Sequence, residues 1–200
     1  MVGFEVFIFY LAKVIFVVCG ILVVLLDTKE NIKGRILSTF NSIWNIYIYF
    51  NQQFYDRCAI SLYSLWNSLH AYLKWKIYKE KYKGAILPIT NCNRSNVINC
   101  LVFISIISIV YSLFLLYYFP NTSYIYWRSV NAGVSLIAQR LIANKKTDAW
   151  IYFLINSISY TLIFLLQKEY ILMLQPLIFI PINIRGYLTW KKKIKEEPST

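Results

Sequence analysis

Apolar residues run along this chain in long stretches separated by short polar breaks, and the pattern predicts seven spanning helices over 4–26, 33–51, 55–75, 97–119, 124–143, 148–166 and 170–190. Most stretches approach the roughly 20 residues needed to cross a bilayer core of about 30 Å. The breaks are turn-like or charged: Asp27 to Asn31, Asn51-Gln52-Gln53, the long segment Lys74 to Asn96, Pro120 to Ser123, Asn144 to Asp148, and Gln167-Lys168-Glu169. The first stretch is too long for a cleavable leader, so it counts as a span.

Within the stretches, polar residues fall at helical spacing. Helix 33–51 carries Ser38, Asn41 and Asn45; helix 124–143 carries Asn131, Ser135 and Gln139. Helix 148–166 places Trp150, Phe153, Asn156, Ser157 and Tyr160 on one face, and helix 170–190 adds Gln175 and Asn183. A polar side chain facing lipid is costly, so such stripes face the bundle interior. They can serve as interhelical glue; Ser105, Ser108 and Ser112 on helix 97–119 read as packing residues of that kind. Asn41, Gln139 and Asn156 together favour a shared cavity. Amides beside aromatics, with no acids, suit a flat polar heterocycle stacked on Trp150 and hydrogen-bonded by the amides. The candidate lining is Asn41, Trp44, Asn45, Gln139, Trp150, Phe153, Asn156 and Tyr160.

The pattern also repeats. Residues 35–77 and 150–192 align without a gap at an offset of 115, sharing Asn-Ser-Ile (41–43 and 156–158) and Tyr-Leu-x-Trp-Lys (72–76 and 187–191). Two helices four apart point the same way, so the copies are parallel, which requires an unmatched helix between three-helix units. That gives a 3+1+3 plan: 1–77, a loop and linker helix 78–119, 120–192, and a tail 193–200. A duplicated bundle enclosing a site at its interface is the architecture of a transporter.

Composition narrows this further. Charged residues make up 15% and hydrophobic residues 58% of the chain, and mean hydropathy is +0.49; the class is an all-α membrane protein. The net charge of +12 reads as loop charge, not nucleic-acid binding. With the N-terminus outside, sixteen Lys or Arg fall on the inner side against Arg57, Arg128 and Lys168 outside, which places the C-terminus in the cytoplasm. Trp75 and Trp190 close their helices just before lysines, a signature of the membrane interface. Lys13 is expected to pair with Glu5 or a headgroup, and His70 to be structural. The remaining acids, Asp27 among them, fall near helix ends, so proton or sodium coupling has no ligand set. Cys19, Cys58, Cys92 and Cys100 form neither a disulfide framework nor a zinc motif. No phosphate loop, metalloprotease motif or nucleophile elbow is present; neither enzyme activity nor a cofactor is expected.

The motifs Ser135-x-x-Ala138-Gln139-x-Leu141, Lys145-Lys146-x-x-x-x-Trp150-x-x-Phe153-x-x-Asn156 and Gly186-Tyr187-x-x-Trp190-Lys191 resemble the PnuC family of bacterial vitamin transporters. Asn41 and Tyr72-Leu73-Lys74-Trp75 resemble its other repeat more loosely. The resemblance implies a SWEET-like 3+1+3 fold, a homotrimer, a bacterial inner-membrane location and facilitated diffusion of nicotinamide riboside or a related B vitamin or nucleoside, trapped by a cytoplasmic kinase. Trp150, Asn156 and Gln139 match its binding motif. Phe153 departs from it, standing where the family has a second Trp. The rivals are a SWEET-like sugar carrier and a membrane interaction subunit without a substrate.

Overall fold

The structure is a computed structural model that describes residues 2–51 and 54–196; the side chains of 2–10, Ala12, Lys13, Phe16 and Asp56 fall outside the description. The expected Lys13–Glu5 pairing and the Gln52-Gln53 break therefore lie outside the described residues. These residues form α1 (Val2–Thr28), α2 (Lys33–Asn51), α3 (Tyr55–Lys81), α4 (Arg94–Tyr118), α5 (Ile125–Ala143), α6 (Ala149–Leu166) and α7 (Tyr170–Glu196).

Helices α3 and α7 run on past the apolar pattern to Lys81 and Glu196. Their Lys- and Glu-rich ends remain good helix formers, aided by Lys76–Glu80 at 3.9 Å and Lys192–Glu196 at 3.5 Å. The break expected to begin at Asp27 begins later, because Asp27 and Thr28 belong to the last turn of α1. α4 starts at Arg94 because Asn93 caps it, accepting from the Asn96 N–H at 2.9 Å.

Packing runs α1–α2–α3–α5–α6–α7 and back to α1, a closed ring of six helices with α4 laid against α5 outside it. By length and composition α4, α6 and α7 can each cross a membrane, and α4 is the most apolar and least buried of them. α2, α3 and α5 carry polar stripes that lower their apolarity.

The 115 offset extends beyond the aligned segments. Trp75 Nε1 donates to Ala143 O at 2.9 Å, and Trp190 Nε1 donates to Thr28 O at 3.2 Å. Each indole closes the last turn of a neighbouring helix, where carbonyls lack intrahelical partners. Both rings are buried, at 4% and 0% exposure. They are internal pegs instead of the interfacial anchors the sequence suggested, because the indole N–H finds a carbonyl inside the ring.

The turns after α1 and α5 match as well. Asn31 N–H bonds Leu26 O and Glu30 N–H bonds Asp27 O; Lys146 N–H bonds Leu141 O and Lys145 N–H bonds Ile142 O. These are Schellman closures, whose left-handed residue is usually glycine. Here it is Glu30 at φ 56° and Lys145 at φ 50°. The two side chains meet at 2.5 Å, and Lys193 joins Glu30 at the same distance. Burial pushes the Glu30 carboxyl up, but hydrogen bonds and charge from Lys145 and Lys193 outweigh it and hold the group below its usual 4.5. Burial lowers Lys145, against the pull of Glu30. This end of the ring, where most lysines gather, is termed the basic end.

Candidate functional site

The ring encloses two adjoining cavity lobes of about 200 Å³ each. Asn45, Tyr49, Ser64, Gln139, Phe153 and Gln175 line both. The basic-end lobe adds Asp27, Arg35, Asn41, Trp150 and Asn183. The opposite lobe adds Arg57, Ser135, Asn156, Ser157 and Tyr160. Seven of the eight candidate lining residues thus come together around this space.

Trp44 is the exception. It lines neither lobe and is 43% exposed, edge-on to Tyr47 at 6.1 Å. At about 100° per residue it sits roughly 100° off the stripe of Ser38, Asn41, Asn45 and Tyr49. A ring on that side of α2 faces outward. Asn131 is buried in α5 but does not line either lobe. The helix 97–119 serines bond carbonyls of their own helix and stay away from the lobes, as packing residues do. His70 lies exposed, stacked on Trp66 at 5.6 Å.

Six cavity-wall residues hold a buried polar atom with no hydrogen-bond partner among the described residues: Asp27 Oδ1, Arg35 Nε, Asn41 Oδ1, Asn45 Oδ1, Gln139 Oε1 and Trp150 Nε1. Buried polar atoms are almost always paired, so such a group around one space is the mark of a site completed by a ligand or water. The Gln139 backbone is fixed from the other side, because Asn67 Nδ2 donates to its carbonyl at 2.8 Å. Asn156 Nδ2 donates to Ser135 Oγ, and Asn183 Nδ2 to Ser157 Oγ at 3.0 Å. The amides that are already bonded hold α5, α6 and α7 in register.

Trp150 is held rigidly. Gly186 packs so close that a Cβ there would lie 2.6 Å from the indole, and Trp190 meets the ring edge-on at 5.4 Å. The ring is 1% exposed and lies 6.3 Å from Phe153. One of its faces is thus covered by backbone, which orients what remains toward the cavity.

Sequence reasoning missed Asp27 and Arg35 of the basic-end lobe, and two further features. The α3 wall carries Ser61, Ser64 and Ser68 at i, i+3, i+7, the same spacing that revealed the other stripes. Arg57 and Arg128, read as outer loop charges, are buried at 8% and 5% exposure. Arg57 sits over Tyr160 at 3.8 Å, Phe164 at 4.3 Å and Tyr49 at 5.0 Å, and its Nη1 donates to Tyr49 OH at 2.8 Å. Stacking on aromatic faces lets a guanidinium sit in an apolar wall. Helix-start arginines in an apolar chain were the available signal.

A family model described as nicotinamide mononucleotide transporter matches residues 10–192. The chain belongs to the nicotinamide mononucleotide transporter family. It is a multi-pass membrane transport protein of that family, with apolar helices to match. No curated protein matches it. Among solved structures, the crystal structure of the vitamin B3 transporter PnuC superposes with a TM-score of 0.77 over 97% of this chain and 88% of that one, at 15% identity. At that identity the likeness is one of fold. The resemblance read from the sequence motifs and the family match agree.

Proposed function

We infer that this member of the nicotinamide mononucleotide transporter family carries nicotinamide riboside, or a closely related B-vitamin nucleoside, by facilitated diffusion. The carrying observation is the cavity wall: Asn41, Asn45 and Gln139, each with an unpartnered amide oxygen, line the same lobe as Phe153 and as Trp150 with its unpartnered N–H. Amides satisfy the polar edge of a heterocycle or sugar, and aromatics take its flat face. The Phe153 ring offers a stacking surface without the indole donor. The role is that of a carrier, not an enzyme.

The ring order α1–α2–α3–α5–α6–α7, with α4 outside, supports the 3+1+3 reading and its division at 1–77, 78–119, 120–192 and 193–200. So do the reciprocal Trp75 and Trp190 bonds. The basic end is the cytoplasmic one in this reading, at a bacterial inner membrane, with the N-terminus outside. Burial of Arg57 and Arg128 leaves Lys168 as the exposed basic residue of the opposite side, which sharpens the charge asymmetry. A homotrimer remains part of the proposal, with α4 as an available outer face.

The sugar-carrier reading fits less well, since Tyr49, Phe153, Tyr160, Phe164 and Phe179 make the opposite lobe strongly aromatic. An interaction subunit would fill its polar stripes with its own side chains and leave no such cavity. Uptake into proteoliposomes is the test. Nicotinamide riboside should equilibrate down its gradient, and neither a proton nor a sodium gradient should drive accumulation. Concentrative uptake under either gradient contradicts facilitated diffusion; no uptake at all contradicts the substrate.

A further inference from the structure

Asp27 and Arg35 are the charged pair of the basic-end lobe, and neither belonged to the expected site. Asp27 is 5% exposed and Arg35 3%. Arg35 Nη2 donates to Asp27 Oδ2. That bond leaves Asp27 Oδ1 and Arg35 Nε without a partner. Gly34 makes room for the carboxylate, since a Cβ there would lie 3.0 Å from Oδ1. Arg35 is steadied from behind by the Trp75 ring at 5.4 Å.

An ion pair inside a membrane bundle is expensive and marks a functional position by default. A purely structural pair would have its remaining donor and acceptor satisfied, since a half-satisfied buried network is worse than an apolar one. Here one anionic acceptor and one cationic donor lack a partner, on two bonded residues that both line the lobe. Trp150 and Phe153 line the same lobe, so a stacked ring would lie at this end.

We propose that Asp27 and Arg35 determine substrate specificity by recognising a primary carboxamide on the ring, the acid accepting from the amide NH₂ and the guanidinium donating to its carbonyl. This rests on the reading of the cavity as a nicotinamide-nucleoside site. A carboxamide carries one donor side and one acceptor side in a plane, the complement of this pair. A ring carboxylate would set its charge against Asp27 and is disfavoured.

The experiment compares nicotinamide riboside with pyridinium riboside, which keeps the ring, its charge and the sugar but lacks the carboxamide. Affinities are measured by calorimetry on the purified protein in lipid nanodiscs. The wild type should bind the carboxamide compound at least about tenfold more tightly, because the analogue leaves built polar groups unpaired. The double variant Asp27→Leu/Arg35→Met removes both charges together, an exchange that buried pairs often tolerate. It should discriminate less than about threefold. Should it fail to fold, Asp27→Asn serves, with discrimination reduced in the same direction. Equal weakening toward both compounds, with the preference intact, shows a structural pair and overturns the proposal. A wild type that binds both compounds equally overturns it too, while sparing the substrate reading. A wild type that binds neither overturns the substrate reading, and the assignment of the pair falls with it.

Discussion

Two regions of the ring, 27–75 and 142–190, share hydrogen bonds at matching positions and differ in what they present to the cavity. At the 115 offset, Trp75 answers Trp190, and the turn of Glu30 answers the turn of Lys145. These positions tie helix to helix, and their chemistry is kept. The cavity-facing positions divide otherwise. Asn41 and Asn156 correspond, but Arg35 stands opposite Trp150, Ser38 opposite Phe153, Asn45 opposite Tyr160, and Asp27 opposite Ile142. One wall carries the charged pair; the other sets Trp150, Phe153 and Tyr160 beside its amides. A lining that differs in this way can hold a ligand in one orientation, its flat face toward the aromatics of α6 and its polar edge toward the charged pair of α1 and α2.

If the frame is shared, breaking it on either side should cost alike, and most of all at the pegs. Trp190→Ala should lower stability by about 3–5 kcal/mol, as large buried aromatics do, and Trp75→Ala should fall in the same range. Thermal unfolding in detergent, read by intrinsic fluorescence and circular dichroism, compares the two. A mild effect in one and a severe effect in the other would break the equivalence of the two halves.

Next comes the contact that joins the halves at the basic end. Glu30→Gln leaves Lys145, whose side chain is 1% exposed, without its counter-charge. Removing one partner of a buried pair typically costs about 3 kcal/mol or more. The pH dependence has a definite sign. The Glu30 carboxyl is lowered on folding from an ordinary 4.5. Its contribution is therefore fully present above that value and is lost as pH falls through the lowered folded value. Lys145, lowered by burial, offsets part of the gain at neutral pH. Measured by thermal unfolding across pH, the wild-type and Glu30→Gln stability curves should converge on acidification; parallel curves would show that Glu30 is not held by this contact.

Smaller again, and confined to binding, are the two walls themselves. Trp150→Ala on the aromatic side and Asn41→Leu on the polar side should each weaken the ligand at least about tenfold, near 1.4 kcal/mol. Trp44→Ala, on the outward side of α2, and Ser108→Ala, on α4, should leave affinity within about twofold. Calorimetry against nicotinamide riboside separates these cases, and a tenfold loss in the Trp44 variant would return that ring to the site.

Helical periodicity made the fold legible, because in a bilayer each backbone polar group must be satisfied within its own segment and spans cannot be irregular. The 115 offset made the pairing of helices legible at α2–α3 and α6–α7. It faded at α1 and α5, where the correspondence survives in backbone hydrogen bonds instead of residue identity. Amides in apolar helices announced Asn41, Asn45, Gln139 and Asn156, since they have few other tolerable places. Trp44 misled because a Trp is at home both in a cavity and at the outer face of a membrane helix. Asp27, Arg57 and Arg128 misled because a charge near a helix end looks like loop charge until the packing around it is known. The buried pegs Trp75 and Trp190 misled for the related reason that an indole before lysines also suits the interface.

The central claim is that the space between the two halves is the substrate site. Titration of nicotinamide riboside into wild type, Trp150→Ala and Trp44→Ala by calorimetry tests it most directly. Saturable binding by wild type, weakened at least about tenfold in Trp150→Ala and unchanged in Trp44→Ala, is the predicted result. Full affinity in Trp150→Ala, or its loss in Trp44→Ala alone, would place the site elsewhere and contradict the account.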